Sequence, residues 1–557
     1  MTTRRRQLGT ASDAFSSASD QTGIRVHHVS RQRAGRTVVD DVSFSIRPGE
    51  LVAIAGGSGA GKTSLLRTMA GLDSADAGQV HVDGVPVAGT DHGIGYVPQD
   101  DIIHMELPLR RTLDHAARLR VAGDVSAVDR DELVTRTLDR LALCDRDHVP
   151  VGDLSGGQRK RASIASELLT DPEVLFLDEP TSGLDPGTAA SVMHHLRRLA
   201  EAGTTVVMTT HAPADLARCD RLVMLTDGGR LAFDGPPTDA LEWFGVTDLV
   251  HVYEVLATAD PVEVAERFRQ RHPVPPVPFV ERRPVASRGT KVGGVRQWLA
   301  LTRRAGDLLV RNKLTLAILA GSPAMVVAMM AVLFRPGTFD PSVTTPVPAI
   351  QTLFWIAFAS FFFGLTYGLL QIVGEFSVFR RERFNGLSVW AYVASKIVVL
   401  IPVLALVNVV MLVVLRSLDR LPSLGAGAWA ELFVTLQLTA IAALAIGLLA
   451  SAAVQNASQA TMALPMLCFP QVLFAGAVVP VEEMATAGRI MSFGLIDRWS
   501  FEALGRTLDI NALIGDDVAT AGYVPAFSGS PVTAWLVMGG LALAATLATG
   551  AVLARRS

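Results

Sequence analysis

Six long apolar segments in the second half of this 557-residue chain restrict its fold more than any other feature. Each has about 20 residues or more, the length that crosses a bilayer as a helix. Only helices and closed barrels can pair every backbone group inside a membrane. We therefore expect an all-α transmembrane domain with six helices over residues 314–557. The predicted spans are 314–334, 347–373, 393–415, 430–454, 457–479 and 532–553.

The first half of the chain has a different pattern, in which short β-branched runs alternate with helical periodicity. Over residues 23–247 this alternation is typical of an α/β domain with a largely parallel sheet. The pattern predicts strands at 51–55, 174–177, 205–209 and 222–225, and helices at 63–70, 158–170 and 186–202. We expect disorder in the polar tail 1–22 and a Pro-rich linker over 248–295 that contains a short helix at 261–271.

Charge predicts the orientation of the chain in the membrane. Residues 296–313 form an amphipathic connecting helix, which lies either along the membrane surface or in the cytosol. Arginines precede the first span and follow the second and the last, whereas the alternate loops mix both signs. The positive-inside rule then places the N-terminus, the α/β domain and the C-terminus in the cytosol. The expectation is a multi-pass protein of the plasma (cytoplasmic) membrane.

Composition excludes several classes of function. A formal net charge of −3 provides no basic field for a nucleic-acid partner. The cysteines lack the spacing of a metal site or a disulfide framework. The predicted spans hold almost no ionisable residue at their centres, which argues against a proton-coupled or ion pump. An aromatic-rich second span and the isolated polar groups Asn408, Gln437 and Gln471 would suit a flat, amphipathic or lipid-like substrate.

A glycine-rich segment follows the predicted strand 51–55 and opens a helix, the context that identifies a phosphate-binding loop. Its backbone N–H groups and the helix N-terminus favour bound phosphates. Lys62 would reach the β- and γ-phosphates of a nucleotide, and the Thr63 hydroxyl would bind Mg²⁺. The nucleotide-binding residues predicted here are Gly56, Gly57, Ser58, Gly59, Ala60, Gly61, Lys62, Thr63 and Ser64.

Two carboxylates end the apolar run 174–177. Asp178 suits a role at Mg²⁺, directly or through water, and Glu179 suits the base that polarises an attacking water. On its own such a strand end is as often an ordinary acidic turn. Together with the phosphate-binding loop it predicts nucleotide hydrolysis.

The segment Leu-Ser-Gly-Gly-Gln at 154–158 is a serine-capped helix start that is able to hold an anion. With the loop and the acidic strand end, it resembles the signature of ATP-binding cassette (ABC) transporters. The resemblance implies that ATP is sandwiched in a dimer, between Lys62 of one subunit and the signature of the other. It also implies nucleotide-binding roles for Ser155, Gly156, Gly157, Gln158, Gln99 and Asp185, a γ-phosphate contact for His211, and Mg²⁺ contacts for Thr63, Gln99 and Asp178. The expected cofactors are ATP and Mg²⁺.

One departure from the family concerns adenine. The aromatic residue that many cassettes stack on the base should lie near Arg33, and residues 29–38 contain no Phe, Tyr or Trp. The Arg33 guanidinium plane is the candidate replacement.

A cassette followed by six spans resembles the G-type, or White, half-transporters and their bacterial relatives. The loop 375–386, with Tyr392 and Ser395-Lys396, and the segment 492–504 resemble the corresponding parts of that family. The resemblance implies that residues 380–386 transmit cassette motion through a short coupling helix. Their positive charge also serves to fix the topology.

These observations predict an ATP-hydrolysing exporter that works as a homodimer on a lipid-like or amphipathic substrate. Two alternatives stay open: an ATP-driven mechanotransmitter or regulator that transports nothing, and a half-transporter that needs a non-identical partner. The sequence does not identify the substrate.

Overall fold

The computed structural model describes residues 23–87, 93–121, 125–272, 292–340, 345–515, 517–518 and 520–556. The chain divides into two compact units, Met1–Val292 and Gly293–Ser557, and each is described by itself. The predicted tail 1–22 and residues 273–291 of the predicted linker 248–295 lie outside the described residues.

The first unit contains two sheets. The strands are β1 (Ile24–Arg33), β2 (Arg36–Ile46), β3 (Leu51–Gly56), β4 (Ala77–Val82), β5 (Val85–Pro86), β6 (Ile94–Val97), β7 (Val174–Leu177), β8 (Thr205–Thr209), β9 (Arg221–Leu225) and β10 (Leu231–Gly235). An antiparallel sheet has the order β2-β1-β4-β5, and a second sheet has the order β10-β9-β3-β8-β7-β6. The second sheet is parallel except for β10. This architecture confirms the predicted α/β fold class.

Helices cover the parallel sheet, whose central strands are buried along their whole length. They are α1 (Lys62–Met69), α2 (Leu109–Arg120), α3 (Ala127–Arg140), α4 (Gly156–Leu168), α5 (Pro186–Glu201), α6 (Pro213–Leu216), α7 (Pro237–Phe244), α8 (Leu249–Thr258) and α9 (Pro261–Arg271). Helices α1, α4 and α5 lie where the periodicity predicts them. In the parallel sheet the polar residues that follow β3, β7 and β8 meet at one edge, because the carboxyl ends of these strands coincide.

The packed core of this unit extends beyond residue 247, where the sequence predicted a linker. Asp248 and Asp260 cap the N-termini of α8 and α9. The apolar residues that they bury in the core lie three or four apart within each helix: Leu249, Val252 and Leu256 in α8, and Val264 and Phe268 in α9. Charged residues make up much of the rest of α9, which is why the segment has the composition of a linker. The helix predicted at 261–271 is present, but it is part of the folded domain.

The second unit is entirely helical in the part that the structure describes. Its helices are α10 (Gly294–Arg311), α11 (Lys313–Leu333), α12 (Pro346–Leu369), α13 (Phe376–Phe384), α14 (Val389–Ser417), α15 (Ala426–Ala453), α16 (Ala457–Phe474), α17 (Thr486–Phe493), α18 (Ile496–Thr507), α19 (Ile510–Ile514) and α20 (Val532–Arg556). Four described helices are long and apolar enough to cross a membrane: α12, α14, α15 and α20. The prediction of six spans is therefore supported for four. The first and fifth segments form α11 and α16, and α16 contains Pro465 and Pro470 and ends at Phe474, five residues before the predicted limit of 479.

Helices α12 and α15 are in backbone contact. A Cβ atom on Gly364 would lie 2.1 Å from the Ala440 carbonyl oxygen, and one on Gly447 would lie 2.5 Å from the Leu365 carbonyl oxygen. Gly368 meets the Leu444 carbonyl in the same way. Such small residues allow helices to approach closely in a membrane, where packing replaces the hydrophobic effect.

The polar groups considered for a substrate path form hydrogen bonds inside the unit instead. Ser360 Oγ donates to the Leu436 carbonyl and lies 3.0 Å from Asn408 Oδ1, and Asn408 Nδ2 donates to Gln437 Oε1 at 3.1 Å. Gln471 Oε1 accepts from the Asp497 backbone N–H at 2.9 Å. These side chains join helices to each other, so the interpretation of them as isolated polar groups is wrong.

A buried ion pair fixes α10 to α13. The guanidinium of Arg304 donates two hydrogen bonds to the carboxylate of Glu382, one of them 2.9 Å long from Nη2 to Oε2. Both side chains are almost wholly buried, with residue exposures of 4% and 7%. Gln297 adds a bond to the Gly386 carbonyl and accepts one from the Ser388 N–H. Residues 296–311 are thus a packed helix that contacts the segment predicted to carry the coupling helix.

Asp497, at the start of α18, is a buried acidic residue that lies outside the predicted spans. It is fully buried, and neither carboxylate oxygen has a hydrogen-bond partner among the described residues. Burial raises the pKa of this carboxyl well above its usual range. Apolar residues flank it (Leu495, Ile496, Trp499 and Phe501), but the sequence does not show that the carboxylate itself is buried.

Asp497→Asn is expected to unfold at a higher temperature than the native chain at neutral pH, and this difference should shrink as the pH falls to 4. The unfolded chain ionises Asp497 above about pH 4, whereas the folded chain keeps it protonated. The unfolding temperature of the native chain should therefore fall by about 2–4 °C per pH unit as the pH rises through this range. The Asp497→Asn variant should lack this decrease, because its amide does not titrate. Thermal unfolding in detergent at pH 4–8 measures the difference, with the exposed Asp509→Asn as control. Parallel pH profiles for the native chain and Asp497→Asn would contradict the expectation.

Candidate nucleotide-binding site

The loop between β3 and α1 is held tightly by its neighbours. Gly61, at the N-cap of α1, has a φ of 85°, and a Cβ atom there would lie 2.0 Å from the Val38 carbonyl oxygen. No other residue fits this combination of left-handed backbone and close approach. The backbone of residues 56–61 therefore follows a fixed path around the N-terminus of α1, where N–H groups are free to point at an anion.

Lys62 lies over this loop. Its ammonium donates to the carbonyls of Gly56 (3.0 Å) and Gly57 (2.8 Å). Burial lowers the pKa of the Lys62 ammonium, and the negative charges of Glu179, Asp178 and Asp227 oppose that effect. The lysine charge is thus placed inside the loop, where phosphate oxygens would replace the carbonyls as its partners.

Asp178 connects the loop to two strands. Its Oδ1 atom accepts hydrogen bonds from Thr63 Oγ1 (2.9 Å) and from Thr209 Oγ1 (2.6 Å). Thr209, at the end of β8, is wholly buried and also accepts from the backbone N–H of Glu179 (2.9 Å). The hydroxyl and carboxylate oxygens of Thr63 and Asp178 are hard ligands of the kind that Mg²⁺ prefers.

Glu179 is the meeting point of two further predicted residues. Gln99 Nε2 donates to Glu179 Oε2 at 3.2 Å, and His211 Nδ1 lies 3.3 Å from Glu179 Oε1. Glu179 has a φ of 44°, an unusual conformation for a non-glycine residue, and such strain clusters at functional sites. The structure thus brings together Lys62, Thr63, Gln99, Asp178, Glu179 and His211, which is the set that the sequence proposed for one half-site.

The signature residues form a second group. Ser155 and Gln158 form a capping box at the start of α4, and Asp185 caps α5 by accepting from the N–H groups of Gly187 and Thr188. Ser155, Gly156 and Asp185 face outward or are only partly covered, whereas Gly157 is buried. Hydrogen bonds tie these caps to their own helices, and the structure does not bring them to the loop 56–63 of the same chain.

Arg33 lies at the exposed end of β1, opposite Arg36 across the hairpin. It belongs to a basic group around Asp73, whose pKa is lowered by the hydrogen bond from Arg67 and by the charges of Arg67, Arg31 and Arg33. A stacking role on adenine stays a prediction.

Sequence reasoning missed two residues that support the site. Thr209 links Asp178 and Glu179, and Lys160 Nζ donates to the backbone carbonyl of Gln99 at 2.6 Å. Thr209 ends a β-branched strand, and Lys160 follows the signature, but neither position has a distinguishing motif of its own.

Comparison with known proteins places both units. Residues 39–182 match the family model described as ABC transporter, and residues 296–505 match the model described as ABC-2 type transporter. The chain is 34% identical over 493 residues to the ABC transporter ATP-binding/permease protein Rv1747 of Mycobacterium tuberculosis, covering 86% of this chain and 56% of that protein. It is 30% identical over 519 residues to ABC transporter G family member 7 of Arabidopsis thaliana, covering 84% of this chain and 70% of the plant protein.

A shorter match is confined to part of the chain. The broad substrate specificity ATP-binding cassette transporter ABCG2 of Bos taurus is 36% identical over 225 residues, covering 39% of this chain and 34% of the bovine protein. In the two longer matches the chain spans 56% of the mycobacterial protein and 70% of the plant protein.

Proposed function

This chain belongs to the ABC transporters of the ABCG and Rv1747 type, with an N-terminal ATPase cassette, and on that premise we propose that it couples ATP hydrolysis to export of a lipid-like or amphipathic substrate. The observation that carries the proposal is the group formed by Lys62, Asp178 and Glu179 at the phosphate-binding loop. A carboxylate base beside a lysine-lined phosphate cradle is suited to hydrolysis and not to binding alone.

In the proposed reaction Lys62 and the loop N–H groups bind the β- and γ-phosphates of ATP. Glu179 accepts a proton from the water that attacks the γ-phosphorus, and His211, which lies beside Glu179, would contact the γ-phosphate. Mg²⁺, when bound, neutralises charge on the phosphates, and Thr63, Gln99 and Asp178 would hold it. The hydrogen bond from Thr209 keeps Asp178 in place for that role.

We also propose that the working unit is a homodimer. The signature caps at Ser155 and Asp185 are tied to their own helices rather than to the loop of the same chain. Family resemblance puts them against the nucleotide of a second copy, which completes two equal sites. Copurification of two differently tagged copies tests this, and capture of only a different chain would favour a heterodimer.

The proposed division of the chain follows from the packing. The cassette comprises residues 23–272, because α8 and α9 belong to its core. A linker and the connecting helix α10 lead to a membrane domain that begins near residue 314. We propose that the N-terminus, cassette and C-terminus lie on the cytosolic side of the plasma membrane, as loop charges indicate, and we keep two further spans, α11 and α16, in this proposal.

Purified protein in lipid nanodiscs should show ATPase activity that a substrate class stimulates. Native envelope lipids and a panel of amphipathic drugs are titrated, because the bovine relative is named for broad substrate specificity. Saturable stimulation of about two-fold or more, which reports differential binding of the working states, is the expected result, and Glu179→Gln is the blank. Activity that exceeds the blank but responds to no compound would favour a regulator without transport or a missing partner.

A further inference from the structure

Two threonines near the proposed catalytic base donate hydrogen bonds to a single buried carboxylate. Thr181 Oγ1 lies 2.6 Å and Thr210 Oγ1 lies 3.0 Å from the same Oδ2 atom of Asp215, in α6. Asp215 is 4% exposed, and both threonines are buried. No ion pair to Asp215 is present in the part of the chain that the structure describes, so hydroxyl groups stabilise this carboxylate.

The two threonines belong to different segments of the site. Thr181 follows Glu179 by two residues and leads to Asp185, whereas Thr210 directly precedes His211. The adjacent Thr209 binds Asp178 and the backbone of Glu179. The dipeptide 209–210 therefore connects the end of β7 on one side and, through Asp215, the segment 181–185 on the other.

These bonds close a ring. It runs from Glu179 along the chain to Thr181, through Asp215 to Thr210, and back through Thr209 to the Glu179 N–H. A cavity of about 310 Å³ lies beside it, lined in part by Glu179, His211 and Asp215. Hydrogen bonds through Asp215 therefore join the two segments beside this cavity.

We propose that Asp215 is a positioning residue that holds His211 and the segment 181–185 in one arrangement beside Glu179. This inference rests on the proposed ATP hydrolysis. Without the carboxylate, two buried hydroxyls lose their acceptor and the two segments move independently. Since Asp215 does not contact the loop 56–63, the loss affects the chemical step and leaves ATP affinity unchanged.

Asp215→Leu, which keeps side-chain size and removes both acceptor oxygens, should lower kcat by about 10–100-fold at a nearly constant KM for ATP, as expected for a small misplacement of reacting groups. Asp215→Asn keeps one uncharged acceptor oxygen and should recover most of the activity. The control is Asp239→Asn, an exposed aspartate in α7. Unfolding temperature is measured for each variant, so that kcat refers to folded protein.

Two outcomes overturn the proposal: an unchanged kcat per folded molecule in Asp215→Leu, or a raised KM as the main effect. If Asp215→Leu does not fold, Thr181→Val and Thr210→Val take its place, with Thr181→Ser and Thr210→Ser as hydroxyl-retaining controls. Only the valine variants should then lose kcat. Failure of the proposed function would give a different result, because the native chain itself would then hydrolyse no more ATP than Glu179→Gln.

Discussion

Glu179→Gln is expected to reduce steady-state ATP turnover by about 100-fold or more, because the amide cannot accept a proton from the attacking water. ATP should remain bound, since Lys62 and the loop 56–61 are unchanged. Because glutamine occupies nearly the same volume as glutamate, its side chain should stay within hydrogen-bonding distance of Gln99 and His211. The test is phosphate release together with binding of a fluorescent ATP analogue.

A matched control is Glu173→Gln, the same substitution at the exposed residue that precedes β7. It should retain native turnover. Turnover in Glu179→Gln close to that of the native chain would show that another group serves as the base. Loss of nucleotide binding in the same variant would mean that Glu179 supports the loop rather than the reaction.

Arg304→Met should destabilise the second unit by about 3–5 kcal/mol, the cost of removing one partner from a buried ion pair. Glu382 is 7% exposed and would lose its two guanidinium donors. The double variant Arg304→Met with Glu382→Leu should recover most of the lost stability, because apolar residues of similar volume replace buried pairs at little cost. Thermal unfolding in detergent measures all three proteins.

The neighbouring Arg303 provides the control, because it is exposed and Arg303→Met makes the same chemical change one residue away. It should alter the unfolding temperature by less than about 1 °C. A double variant that is no more stable than Arg304→Met would contradict the account of the pair, and so would equal effects at Arg303 and Arg304.

The nucleotide half-site was predictable from sequence because its chemistry lies in short contiguous motifs. The glycines at 56–61, Lys62 and the pair Asp178-Glu179 each follow a buried strand, and parallel strands bring such ends together. Gln99 and His211 were identified only through the family resemblance. In the structure both contact Glu179, and their roles at Mg²⁺ and at the γ-phosphate stay predictions.

Other features depend on partners far away in the chain, where spacing provides no signal. Arg304 and Glu382 are 78 residues apart, and Ser360 and Asn408 are 48 apart. Asp497 is a single carboxylate among apolar residues such as Ile496 and Phe501, and its burial depends on the helices packed around it. The sequence did not show that the cassette core extends through α9, because only Val264 and Phe268 of this helix belong to that core and charged residues surround them.

The backbone contact between α12 and α15 limits which residues this unit can accept at its closest helix crossing. At Gly364, Gly368 and Gly447 even one added methyl group would overlap a carbonyl oxygen or backbone atoms of the facing helix. Two helices that touch in this way can neither slide nor rotate past each other without losing contact along their length. We therefore expect a larger residue at any of these three glycines to force α12 and α15 apart, so that substitutions are better tolerated elsewhere in the unit.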